Sequence, residues 1–233
     1  MLNRVPIPSP NYQPGRSSDV RLIVLHTAEG SLTIESLGAY FANPGAQVSS
    51  QVGIDDKPNT VGVYVRRGDT SWTQAAFNPV SVSAELCGFS AWTPGEWHAH
   101  ADMLANTAAW VAEEAAAFGI PIRALSAAEA QGGAAGVCQH VDLGDAGGGH
   151  WDCGASFPMA EVLQMASGAG APPIPEGVDP MSLSTELVDG LPQVFYVAES
   201  GAVIQLSLAD YPVAPRWVAS DLTHDSGAPM AAR

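Results

Sequence analysis

Two rhythms of hydrophobic and polar residues run along the first 166 positions of this chain. Arg21-Leu-Ile-Val-Leu-His26 is an unbroken apolar run rich in β-formers, which predicts a buried strand delivering a histidine at its C-terminal end. Residues 33–42 predict a short helix, stopped by Asn43-Pro44-Gly45. Val48–Asp55 and Val61–Arg66 flank an Asp-Lys-Pro-Asn turn and predict a hairpin. From Val80 to Leu86 the period is two: Val80, Val82, Ala84 and Leu86 face one way, and Ser81, Ser83 and Glu85 the other.

The most regular stretch runs from Pro94 to Phe118 and predicts one long helix. Thr93 caps it, Pro94 fits its first position and Glu96 completes a capping box. Its apolar stripe is Trp97, Ala101, Leu104, Ala108, Val111, Ala115 and Phe118, and Gly119 with Pro121 ends it. Residues 1–20 are proline-rich and read as an extended lead-in, residues 132–156 as glycine-punctuated loop, and Pro158–Ala166 as a further helix. Strands alternating with helices are compatible with an α/β class.

The rhythm then breaks. Ser167–Gly177 is a glycine- and proline-rich linker, and beyond it Gln193–Ala198 and Ala202–Leu208 flank Glu-Ser-Gly as a second hairpin. The expected organisation is a main domain at 1–168, a linker at 169–180 and a small C-terminal module at 181–233. Phe195, Tyr196, Tyr211 and Trp217 could grip a polymer or be the only core of so short a module.

Composition narrows the chemistry. Hydrophobic residues make up 46% and charged ones 14%, enough apolar material for a sizeable core. With 24 acidic against 9 basic residues the net charge is −15, which repels phosphate backbones and anionic lipid, so neither nucleic acid nor membrane is an expected partner. Three cysteines, Cys87, Cys138 and Cys153, are too few and too odd for a disulfide framework and suit a reducing compartment. The N-terminus has no apolar stretch of about 7–15 residues, so no signal peptide is expected.

Three segments carry candidate chemistry: Leu25-His26-Thr27, Cys138-Gln139-His140 and Gly149-His150-Trp151-Asp152-Cys153-Gly154. A catalytic zinc takes three ligands drawn from His, Asp/Glu and Cys and leaves one place open. No local motif such as HExxH fixes such a site here, and a solitary histidine is ordinarily a satisfied surface or core residue. A Cys/His nucleophilic site, with Cys138 or Cys153 beside His140, accounts for fewer of these residues.

Residues 20–166 resemble the zinc amidases of the N-acetylmuramoyl-L-alanine amidase type 2 family, which includes the peptidoglycan recognition proteins. They look in particular like the amidase domain of endolysins from phages of actinobacteria. The likeness rests on VLHTAEG, VSSQVGID, NPVSVSAELCG, the long helix and GVCQHVDLG…HWDCGASFP, occurring in the family's order. It implies a central mixed sheet flanked by helices, with Zn²⁺ in a surface groove and a small β-rich appendage behind. It implies His26, His140 and Asp152 as the metal ligands. Cys153 stands where the family has proline, and as a competent soft ligand it is an alternative third ligand.

The same resemblance makes Glu85 a general base, and His150, where the family often has lysine, a stabiliser of the oxyanion or a donor to the leaving amine. Where relatives carry Tyr-His or Ala-His this chain has Ser50-Gln51, so no tyrosine role transfers; Gln51 is a candidate hydrogen-bonder of substrate. His98 and His100 match no motif and read as solvated. The implied reaction is hydrolysis of the amide between N-acetylmuramic acid and L-alanine in peptidoglycan. The enzyme would be a monomer, held in the host cytoplasm until lysis and then acting on the wall. The alternatives are a non-catalytic peptidoglycan-binding module and a virion-associated wall-penetration protein.

Overall fold

The computed structural model describes residues 2–30 and 32–168 throughout, and beyond them the backbone of four strands within 184–221. The chain divides into two units, Met1–Gly168 and Ala169–Arg233, each described by itself.

In the first unit the chain opens with β1 (Asn3–Pro6) and β2 (Tyr12–Gln13), then enters β3 (Leu22–Thr27) and α1 (Ile34–Phe41). The expected hairpin follows as β4 (Val52–Ile54) and β5 (Thr60–Val63), and then come β6 (Thr70–Ser71) and β7 (Ser81–Leu86). Next are α2 (Pro94–Ala99), α3 (Ala101–Phe118), α4 (Ala127–Gln131), β8 (Gly136–Gln139) and α5 (Met159–Ala166). Six strands form one mixed sheet in the order β1-β5-β4-β7-β3-β8, with β4 and β5 antiparallel and the other neighbours parallel.

All six residues of β3 are buried, as its unbroken apolar run requires of a strand lying between parallel neighbours. Its residues part by parity. Ile23 and Leu25 join the larger core with Val82, Ala84 and Leu86, against α3 residues such as Leu104 and Val111. Leu22 and Val24 join a smaller core with Phe77, Cys138 and Leu143. In register, His26 lies beside Glu85 and Val24 beside Cys138. His26, Glu85 and His140 therefore share the parity of the smaller core, at the C-terminal ends of three parallel strands. Ligand sites in open α/β sheets form at such ends.

The single long helix expected over 94–118 is two helices. Thr93 and Glu96 form the capping box as expected, but His100 leaves the helical region at φ −107°, ψ 50°. Asp56 is the cause: its carboxylate pairs with the His100 ring and accepts the Met103 backbone N–H at 3.3 Å, so α3 starts afresh there. Trp92 stacks on the other side of that ring, centroids 4.2 Å apart. The break also shifts the buried face: Ala101 is exposed, whereas Met103, Thr107, Trp110 and Glu114 are buried. Glu114 is compensated by a two-pronged contact from Arg67, at 2.7 and 2.8 Å. His98 binds Glu161 at 2.8 Å, so neither of these histidines is merely solvated.

β8 lies where only loop was expected, and α4 in a stretch for which no element was expected. Ser126 and Glu129 form a capping box that opens α4, and the four residues of β8 complete the sheet beside β3. The lead-in gains a ladder too, because β1 pairs in parallel with β5.

The second unit is an antiparallel sheet of β9 (Ser184–Val188), β10 (Leu191–Val197), β11 (Val203–Ala209) and β12 (Arg216–Asp221), in the order β12-β11-β10-β9. The expected hairpin is the pair β10–β11, closed by Val197 opposite Val203. The linker at 169–180 and the side chains of Phe195, Tyr196, Tyr211 and Trp217 lie outside the described residues.

Candidate metal centre

His26 arrives on β3, and His140 opens a 3-10 stretch, His140–Gly147, directly after β8. Asp152 comes from the loop that returns beneath them. Three hydrogen bonds fix that return: Val141 N–H to the Asp152 carbonyl at 2.9 Å, Cys153 N–H to Gln139 Oε1 at 3.0 Å, and Thr27 N–H to Asp152 Oδ2 at 3.2 Å. Glycine is required at the tightest point. Gly154 has φ +94°, and a Cβ there would lie 2.0 Å from the Ser90 carbonyl oxygen.

The three side chains converge: one ligand atom from each of His26, His140 and Asp152 lies within 4.8 Å of the others, and all three residues are buried. The two Nδ1 atoms are 2.9 Å apart, with Asp152 Oδ1 3.2 Å from that of His140 and Oδ2 3.4 Å from that of His26. His140 donates Nε2–H to the Gly147 carbonyl at 2.9 Å, so the neutral ring turns the lone pair of Nδ1 inward. Two imidazole nitrogens and a carboxylate facing one point, with water shut out from behind, suit a divalent transition metal. The nitrogen and oxygen donor set fits zinc.

Cys153 takes no part in this group. Its buried thiol belongs to the larger apolar core, and burial holds its pKa well above the usual thiol range, so it stays protonated. Cys138 is buried in the smaller core with its thiol pushed up to about 12 by burial, which leaves no thiolate for a nucleophilic role. Gln51 is also spoken for: its Oε1 accepts from Ser71 Oγ and from Ser83 N–H, at 2.9 and 2.8 Å, so it supports β7 rather than facing substrate.

The charges follow from the packing. Burial alone would raise the Asp152 carboxyl, but the protonated forms of His140 and His26 beside it hold it far below the usual carboxylate range. Burial lowers the His26 pKa against the pull of Asp152. Burial works on His140 the same way, yet Asp152 and the Gly147 carbonyl raise it overall. Glu85 Oε1 lies 4.0 Å from His26 Nδ1, with its side chain 14% exposed. Burial, then the charge of Asp152, pushes its carboxyl up to about 8.

That shift sets a pH dependence for the metal-free protein. Above about pH 4.5 the unfolded chain releases the Glu85 proton while the folded one keeps it until about pH 8, so the unfolded state binds fewer protons and stability falls as pH rises across this window. Glu85→Gln is expected to flatten that decline, read as urea midpoints of chelator-stripped protein from about pH 5 to about pH 8. Parallel wild-type and variant profiles would contradict it.

The centre opens into a cleft of about 650 Å³, lined among others by Glu85, His150, Tyr40, Trp72 and Trp151. His150 is half exposed and stacks on His140, centroids 4.5 Å apart, with its Nδ1 3.9 Å from Asp152 Oδ1. Two cleft residues escaped the sequence reading. Trp151 is 65% exposed yet anchored, its indole N–H donating to Ser90 Oγ at 3.0 Å. Tyr40 is 56% exposed on α1, whose buried stripe is Ile34, Leu37 and Phe41. Trp151 carried a signal, as a large aromatic next to a candidate ligand, whereas Tyr40 carried only its place off the apolar stripe of its helix.

Comparison with known proteins adds the following. Residues 16–155 match the family described as N-acetylmuramoyl-L-alanine amidase. Among solved structures the chain is similar to the Staphylococcus aureus hydrolase AmiA in complex with its ligand, at 18% identity and TM-score 0.51, covering 64% of this chain and 72% of that one. It is similar also to the N-acetylmuramoyl-L-alanine amidase LysC from Clostridium intestinale, at 11% identity and TM-score 0.51, covering 70% and 95%. A third, the endolysine amidase LysCS from Clostridium intestinale, matches at 12% identity and TM-score 0.50, covering 70% and 93%. At such identities the likeness is one of fold. No curated protein sequence matches the chain.

Proposed function

The chain belongs to the N-acetylmuramoyl-L-alanine amidase family, and from that premise we propose that it is a zinc enzyme hydrolysing the amide between the lactyl group of N-acetylmuramic acid and L-alanine. One observation carries the reading: His26, His140 and Asp152, from three distant stretches, meet at the floor of an open cleft beside a partly buried glutamate. A peptidoglycan-binding module would have no use for that arrangement.

The residues divide the work. His26, His140 and Asp152 would hold the ion. Zinc bound there supplies Lewis acidity, bringing the pKa of a water molecule from 15.7 toward about 7. Glu85, which lines the cleft 4.0 Å from His26 Nδ1, would take the water's proton at a carboxylate oxygen and return it to the departing L-alanine nitrogen. The shift of its carboxyl to about 8 belongs to the metal-free protein; the positive charge of a bound ion would lower it and leave the carboxylate ionised to accept that proton. His150, at the cleft wall 3.9 Å from Asp152, would offset the charge gained by the carbonyl oxygen. The biological role proposed is host lysis as a phage endolysin, supported by likeness to the endolysine amidase LysCS.

The test is digestion of purified sacculi by zinc-loaded protein, with mass spectrometry of the products. Free L-alanine amino termini without new reducing ends are expected. Metal content near one zinc per chain should accompany them, and intact sacculi with no bound zinc would overturn the reading in favour of recognition without cleavage.

A further inference from the structure

The two histidines are not equally accounted for. His140 is fixed from behind by the Gly147 carbonyl, whereas His26 Nε2 is a buried nitrogen with no hydrogen bond among the described residues. A second orphan, of opposite kind, is Gln74 Oε1, on a side chain with 0% exposure. Gln74 acts on the His26 ring, opposing the effect of burial there. Neither atom has another partner among the described residues, and a buried polar atom left unpaired costs about 1–3 kcal/mol.

The orientation of the Gln74 amide follows from its neighbours. Ser81 Oγ donates its proton to the Phe77 carbonyl at 2.6 Å, so it can only accept from the amide, and Gln74 Nε2 must be the atom turned to it. That leaves Oε1, an acceptor, for His26. The backbone beneath is pinned as well, since Asn78 Oδ1 accepts from Thr73 N–H at 3.0 Å and Gln74 N–H at 2.7 Å. A chain of fixed polarity thus runs from Phe77 through Ser81 and Gln74 to the ring of His26.

We propose that Gln74 is a positioning residue for the metal centre: its Oε1 accepts the Nε2–H of His26 and locks the ring in the tautomer that presents Nδ1 to the point shared with His140 and Asp152. Outer partners of this kind orient most metal-binding histidines, and their loss weakens metal affinity by about 10–100-fold. The inference rests on the proposed metal centre, but the tautomer exists with or without the ion, so the two can fail separately.

The experiment has two readouts on the full chain. Long-range proton–nitrogen NMR of the metal-free protein should find His26 protonated at Nε2; predominant protonation at Nδ1 overturns the proposal even if the variants do not fold. Zinc affinity, by competition with a chromogenic chelator, should fall about 10–100-fold in Gln74→Leu. It should recover most of that loss in Gln74→Glu, which keeps an acceptor at the same place. A leucine variant that holds zinc as tightly as wild type, or a glutamate variant as weak as leucine, overturns it. Absence of zinc binding by wild type would instead strike at the metal centre itself and leave the tautomer to decide the role of Gln74.

Discussion

Alanine at His140 is expected to remove metal binding and activity together. In the wild type, zinc at about 1,000 times its dissociation constant should add about 4 kcal/mol of stability, since the ion binds only the folded chain. In His140→Ala that increment should vanish, because the two remaining ligands, His26 and Asp152, are too few for a closed set. Turnover should fall by at least about 10⁴-fold, as water without the ion returns toward its ordinary pKa. Cys153→Ala separates the two candidates for the third ligand. A thiol packed in the apolar core should yield a small cavity and a modest loss of stability while zinc stoichiometry is kept. The checks are thermal melts with and without zinc, metal analysis and sacculus digestion on the same preparations. A His140→Ala protein that still gains stability from zinc would refute the ligand assignment, and a zinc-free Cys153→Ala would transfer the third place to the thiol.

Much of the sheet was legible because its strands are driven by burial. The LIVLHT run can only be a strand covered on both faces, and the alternation over Ser81–Leu86 gives the side on which Glu85 stands. Parallel pairing of β3 with β7 then makes His26 and Glu85 neighbours, which neither run reveals alone. The elements that escaped are those decided by tertiary contact. Asp56, 44 residues before His100 in sequence, breaks what helical periodicity presents as continuous. The four residues of β8 are too few to express a period and gain their ladder only from β3.

The site divides in the same way. His26, His140 and Asp152 were visible through a resemblance, because their motifs occur in a recognisable order, while their separation in sequence gives no local geometry. Gln74 and Gln51 illustrate the limit. A buried amide has no sequence signature, and only the inventory of donors and acceptors around it assigns one to the His26 ring and the other to β7. Trp151 lay inside a motif already singled out, but its anchoring by Ser90, 61 residues away, is a property of the fold.

Glu85→Gln is expected to leave the metal centre intact and still cost about 10²–10⁴-fold in turnover. The substitution preserves volume and an oxygen near His26, and it removes only the ability to take up and release a proton at that atom. The zinc ligands are other residues, so stoichiometry should stay near that of wild type, and the amide should be tolerated where burial already favours the uncharged form of the acid. The loss should fall on kcat with little change in KM, because Glu85 acts on the reacting proton and the cleft walls that meet the substrate are untouched. Metal analysis, a thermal melt and initial rates on a soluble muramyl-peptide substrate decide the matter. A variant with full zinc and wild-type kcat would exclude Glu85 from proton transfer and leave that step to His150. A variant that loses zinc along with activity would place Glu85 among the groups that hold the ion.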